Sequence, residues 1–339
     1  MKISKPGYYD LFRCLAGSCP DSCCQEWDVQ IDRDSADKYL TLNGPLGDQL
    51  RRFLKQENDE YYLQILDHRC PMWRQDGLCQ IQAELGEAGL CKVCREFPRL
   101  CHDYGSFQEL GLELSCPEAA RLILTSPEQM PLVQTVPGGT DPDYDEEAME
   151  ILLRSRQQAL DILESYPLPD ALALLLLYGY LVQYELDGGE AARWDPAAEL
   201  ELALQAAGEC SWKSLTDFYA GLEILTPRWT TLLKAPAAVT NFPACLSRMV
   251  RCCIERYWLQ AVSDYDLVCR VKMIIAGTLL AGYLGGDPII TVQLYSKEID
   301  NSIDNLEAIL DAAYTHPALT DRHLLGLIST IRQAPPYTP

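Results

Sequence analysis

The spacing of apolar positions divides the chain into two unlike parts. From about residue 144 onward, apolar residues recur at helical intervals. Asp143 followed by Glu146 and Glu147 reads as a helix start with acids in its first turn, and the pattern holds to about Ser165. Pro167 and Pro169 end it, and a new helix begins near Asp170. Further helices are predicted at about 196–208, 211–223, 244–261, 264–284, 297–313 and 318–332. Asp264 is the expected cap of the 264–284 helix. The longest apolar run, Ala171 to Val182, is too short to span a bilayer and reads as a buried helix.

Before about residue 125 the periodic segments are short. Met1 to Trp27 reads as loop, and Trp27 to Asp32 alternates weakly, as a short strand would. Helices are expected from Ser35 to Leu42, with Asp34 as cap, and from Leu46 to Lys55. A strand is expected over Tyr61 to Leu66, a turn at Asp76-Gly77, and a two-turn helix from Ile81 to Gly86. Arg95 to Arg99 breaks away from that helical region. Phe107 to Leu114 reads as a strand, and a helix follows to about Leu124, with Ser115 as its N-cap. Ser126 to Asp143 carries four prolines and Gly138-Gly139 without periodicity, which marks a linker. The expected fold class is therefore mainly α. A cysteine-rich N-terminal domain with short strands covers 1–125, a linker covers 126–143, and an all-helical domain covers 144–339.

Charge narrows the partners. With 49 acids against 28 lysines and arginines, the net charge is −21. DNA and RNA partners need a basic face, and an anionic membrane surface repels this chain. The stretch from Glu128 to Glu209 holds seventeen acids and three arginines, so it carries fourteen of the net negative charges. It reads either as a solvated helical face or as a surface for a lysine-bearing partner.

Cysteine changes the picture most. Ten of the fifteen cysteines precede residue 117. Cys14, Cys19, Cys23 and Cys24 form one group. Cys70, Cys79, Cys91, Cys94, Cys101 and Cys116 form another. The count is odd, and Met1 to Leu15 has no apolar core of signal-peptide length, so a cytoplasmic protein without disulfides is expected. Ordinary core packing does not explain such density, whereas a soft metal centre does. The expected ligands are a subset of Cys14, Cys19, Cys23, Cys24, Cys70, Cys79, Cys91, Cys94 and Cys116, with Cys101 behind them. His68 and His102 lie among them and read as neighbours of a metal site more than as ligands. Cys210, Cys245, Cys252, Cys253 and Cys269 sit among apolar residues and read as core, and His316 and His323 as plain helix or turn residues. Ten thiols, where four suffice, favour an iron–sulfur cluster, [4Fe–4S] first, with zinc the alternative. Cys19-x3-Cys23 begins the radical spacing Cys-x3-Cys-x2-Cys, but Glu26 stands at the third position. No glycine-rich nucleotide loop follows a strand.

Together these motifs resemble a known family. Ser18-Cys19-Pro20-Asp21-Ser22-Cys23-Cys24, Cys70-Pro71, Asp76-Gly77-Leu78-Cys79-Gln80-Ile81, Cys91-Lys92-Val93-Cys94-Arg95-Glu96-Phe97-Pro98 and Ser115-Cys116-Pro117-Glu118 are similar to the zinc- or iron-chelating CxxxCxxCC domain, and within it to the flagellin lysine-N-methylases. Arg256-Tyr257, Asp264-Tyr265-Asp266 and Arg270-Val271-Lys272 carry a looser likeness in the helical part. The resemblance implies an iron–sulfur centre, S-adenosylmethionine as methyl donor, and lysines of a protein, flagellin among them, as acceptors. Two functions remain: a protein-lysine N-methyltransferase, and a non-enzymatic metal- or cluster-binding protein with a helical partner-binding domain. The long helical part favours the first. The missing nucleotide loop favours the second.

Overall fold

A computed structural model describes residues 1–25, 29–67, 69–127, 131–190, 193–236 and 242–333. Seven strands and fifteen helices lie among them: β1 (Lys2–Lys5), β2 (Val29–Ile31), α1 (Arg33–Thr41), α2 (Pro45–Phe53), β3 (Leu54–Glu57), β4 (Glu60–Leu63), α3 (Gln80–Leu85), α4 (Lys92–Glu96), β5 (Arg99–Asp103), β6 (Phe107–Leu112), α5 (Pro117–Thr125), β7 (Leu132–Thr135), α6 (Glu146–Ser165), α7 (Leu168–Leu186), α8 (Pro196–Ala206), α9 (Trp212–Ala220), α10 (Pro227–Lys234), α11 (Leu246–Tyr257), α12 (Val268–Leu284), α13 (Pro288–Asp300), α14 (Ile303–Thr315) and α15 (Asp321–Arg332). The fold is mainly α with short strands.

The strands make two small sheets. One has the order β5-β6-β1-β7, with β1 parallel to β6 and the other neighbours antiparallel. The start of the chain is thus a central strand, not loop. The Met1 ammonium donates to the carbonyls of Val136 and Gly138, which fixes β1 against β7. The stretch expected as linker therefore supplies an edge strand. The second sheet, β2-β4-β3, is antiparallel. Trp27 and Asp28, part of the expected first strand, lie outside the described residues.

Local chemistry explains several shifted boundaries. Asp32, not Asp34, caps α1, accepting from the Ser35 amide at 3.0 Å. Cys116, not Ser115, is the N-cap of α5, with Pro117 at its first position. Asp264 does not cap α12 but pairs with Arg270 of that helix at 2.8 Å. Arg95 and Glu96, expected to break away, instead end α4, which Cys91 caps and which carries Cys94. The single helix expected over 297–313 is two. Gly285 and Gly286, both at positive φ, end α12, and Asp287 and Pro288 start α13. Ser302 then caps α14, accepting from the Asn305 amide.

Two separate cores hold the molecule. The larger runs through α5 to α15 and takes in Phe12, Leu112 and Leu114. At its centre is α12, buried at every position except Tyr283, with its two charged side chains paired, Arg270 to Asp264 and Lys272 to Asp321. The expected buried helix at Ala171 to Val182 is α7, whose inner face joins this core. The smaller core gathers Val29, Ile31, Ala36, Tyr39, Leu46, Leu50, Leu63, Cys70, Met72, Ile81, Leu90 and Cys91. Among the described residues no helix is long and apolar enough to cross a membrane.

Candidate functional site

The thiols converge where the cysteine-rich segments meet α13. Cys70 and Cys79 are brought together by the Asp76-Gly77 turn, in which Gly77 has a φ of +78° and the Asp76 carboxylate accepts from the Leu78 amide. A bridge between Trp73 and Cys79 closes this small hairpin. The Cys70 amide donates to the Cys24 carbonyl at 2.8 Å, tying the first cysteine group to the hairpin. Cys79, Cys91 and Cys116 are the N-cap residues of α3, α4 and α5. Free amides at a helix start favour a thiolate over a thiol.

Seven of the nine expected ligands, Cys14, Cys19, Cys23, Cys24, Cys79, Cys94 and Cys116, line one cavity of about 470 Å³. The other two, Cys70 and Cys91, are buried in the smaller core beside it. Cys101 is exposed on β5 and is absent from the cavity wall. Cys23 and Cys94 are reached by solvent through the cavity while protein surrounds them on the other sides.

Two thiol pairs dominate the electrostatics. The Cys23 thiol bonded to Cys24 draws the Cys24 pKa down to about 7, and Cys23 is pushed up in return. Cys94 does the same for Cys91, which is lowered while Cys94 rises. Burial pushes Cys70 up to about 12 and Cys116 to about 11. Each pair thus offers one thiol that ionises more readily and one proton that is harder to remove. Among the described residues, no three His, Cys, Asp or Glu side chains already stand where they could hold one ion. The donor chemistry suits a soft metal centre all the same: thiols from four segments share one open wall.

The rest of the wall was not legible from spacing. Lys297 of α13 and Asn301, the C-cap of that helix, line it, far away in sequence. Asp21, between Cys19 and Cys23, accepts from Lys297 Nζ and from Gln293 Nε2, each at 2.8 Å. Gln293 also donates to the Ser115 carbonyl at 2.8 Å. One acid therefore docks the first cysteine loop onto the helical layer. Beneath the wall, Glu113 and Asp300 flank Arg256, and Tyr257 donates to Asp300. Burial raises the Glu113 carboxyl to about 7.

His102 does not join the thiols. It lines a second cavity of about 300 Å³ with Tyr8, Cys252, Glu255 and the Glu109–Arg156 pair, whose two bonds are 2.6 Å each. His68 lies outside the described residues. Cys210, Cys245, Cys252 and Cys253 pack against the larger core and Cys269 is buried. His316 accepts from the Ala318 amide and His323 Nε2 from the Ser211 amide, structural roles in both cases.

Comparison with known proteins settles the kinship. A stretch of 138 residues is 32% identical to the flagellar biosynthetic protein FliU of Salmonella muenchen, covering 38% of this chain and 81% of that protein. The chain belongs to the flagellin lysine-N-methylase family. Proteins named lysine-N-methylase from Salmonella typhimurium and Salmonella choleraesuis match at 32% and 31% identity, again over 38% of this chain. The matched stretch spans only 34% of each of those two methylases. No family model matches the chain, and no solved structure does.

Proposed function

We propose that this family member transfers a methyl group from S-adenosylmethionine to the ε-amine of lysines on a protein, flagellin among the acceptors, at the cysteine-lined cavity. Part of the thiol set would hold a [4Fe–4S] cluster there, with zinc the alternative. The observation that carries the reading is the convergence of seven thiols from four segments on one cavity, in a chain of this family. The ligands we assign are a subset of the seven thiols on this wall, Cys14, Cys19, Cys23, Cys24, Cys79, Cys94 and Cys116. When bound, the cluster supplies a Lewis-acidic iron that orients the donor.

The chain's own residues must bind the donor, admit the lysine and take a proton. The cavity volume lies in the range of small-ligand sites. The lysine nitrogen must be neutral to attack, yet free lysine is mostly charged at pH 7. Of the carboxylates lining the cavity, Asp21 is held by Lys297 and Glu118 by Arg121. Glu87 has no cationic partner among the described residues, and we assign it as the proton acceptor. The neutral amine then attacks the methyl carbon, the carbon–sulfur bond breaks, and its electron pair stays on sulfur. Alignment at about 3 Å supplies much of the rate.

The experiment is anaerobic purification with iron and sulfide analysis, then incubation with isotope-labelled donor and a lysine-bearing acceptor such as flagellin. Cys23→Ser and Cys94→Ser should lose bound metal, whereas Cys252→Ser keeps it. Zinc without acid-labile sulfide would sink the cluster. Intact metal-loaded protein that neither binds the donor nor labels lysine would sink methyl transfer.

A further inference from the structure

The thiol cavity carries a charge pattern that runs against the chain as a whole. Acids outnumber bases 49 to 28, yet three arginines on this wall have no acid beside them. Arg13 lies in the first cysteine loop, Arg95 in the last turn of α4, and Arg99 at the start of β5. Arg13 Nη1 donates to the carbonyls of Asp10 at 2.9 Å and Phe12 at 2.6 Å. Arg95 Nη1 donates to the Leu90 carbonyl at 3.4 Å. The Arg99 guanidinium sits 5.2 Å over the ring of Phe12, which is itself buried. None of the three has a carboxylate partner among the described residues, whereas Lys297 on the same wall is matched by Asp21.

These side chains are steered by neutral contacts, and most of their donors stay free. A guanidinium presents five donors in a planar fork that matches a carboxylate. We propose that Arg13, Arg95 and Arg99 seat the carboxylate at the amino-acid end of the methyl donor. This rests on the donor-binding reading above. That end carries the donor's one anionic group, and the wall offers three cations without internal partners.

The test uses two neutral-pH probes on the anaerobically purified full chain, by calorimetry. S-adenosylhomocysteine keeps the amino-acid end, and methylthioadenosine lacks it. Arg99→Gln and Arg13→Gln should each weaken S-adenosylhomocysteine by about ten- to a hundredfold, the scale of a lost charge-assisted bond, and leave methylthioadenosine unchanged. Lys213→Gln, a surface cation paired with Asp217, should change neither. Arginine variants with wild-type affinity for S-adenosylhomocysteine overturn the seat while leaving the donor site standing. Variants that instead lose iron and sulfide overturn it too, because the arginines then balance the thiolate centre. A wild-type chain that binds neither probe removes the donor site itself, and the seat with it.

Discussion

Glu113 shows how a single carboxyl ties this molecule to pH. Its side chain is buried beside Asp300, with Arg256 bonded to both. Burial is the largest influence, and it raises the carboxyl from 4.5 to about 7. The folded state then holds a proton more tightly than the unfolded chain. The stability this contributes is fully present below about pH 4.5 and is lost as pH rises through about 7. Urea unfolding across that window should therefore show a falling component that Glu113→Gln abolishes. Equal slopes in the two proteins would refute it. The same scale shows what residue identity revealed. Cysteine density marked nine thiols, and seven of them share the cavity. Cys70 and Cys91 look equivalent in sequence, but the packing of the smaller core draws them inside. Glu87 and the three arginines gave no sequence signal, because an unpaired charge is a property of neighbours. Glu87→Gln should lower the rate of methyl transfer at saturating donor while donor affinity holds. Unchanged turnover would remove Glu87 from the proton path.

At the scale of elements, the first cysteine loop depends on a contact it makes with α13. Asp21 and Lys297 are both well buried, with side chains 11% and 5% exposed, and Gln293 completes the bond set. Removing one partner of such a pair leaves an uncompensated buried charge, which costs about 3–5 kcal/mol. Asp21→Ala should lose stability on that scale in denaturant titration and release the Cys14–Cys24 loop to proteolysis. Asp21→Ala with Lys297→Met should recover much of the loss, since no buried charge is then left alone. Equal losses in the single and double variants would show that the pair does not hold the loop. Long elements were readable in advance. α6, α7 and α15 fall close to their predicted spans, since several turns of apolar periodicity outweigh any one residue. Short elements were not. β1, β3, β5 and β7 have four or five residues each, too few to show a period; β1 and β7 further depend on partners remote in sequence, whereas β3 and β5 are arms of local hairpins with β4 and β6. α10 and the first half of α13 fall outside the predicted helices, although Thr226-Pro227 and Asp287-Pro288 each pair a capping residue with proline at the first helical position.

The whole molecule has two cores of unequal size, and they should not melt alike. The larger core takes in the helices from α5 onward. The smaller draws on the stretch from Val29 to Cys91, with Cys70 and Cys91 inside it and Cys24 and Cys79 against it. Four thiols in so small an apolar set leave it short of hydrophobic stabilisation, so metal–thiolate bonds would contribute folding free energy directly. The Leu112 to Leu124 segment belongs instead to the larger core, although it carries Cys116. Chelation or thiol oxidation should therefore expose residues 29–91 to hydrogen exchange first, while β6, α5 and the helical signal persist. Heating the metal-loaded protein should move the two transitions closer together. The sharpest reading is exchange at Leu63 against exchange at Leu122 during chelation. Loss of protection at both together, in one transition indifferent to metal, would show that the two cores fold as one and that the thiols do not stabilise the smaller.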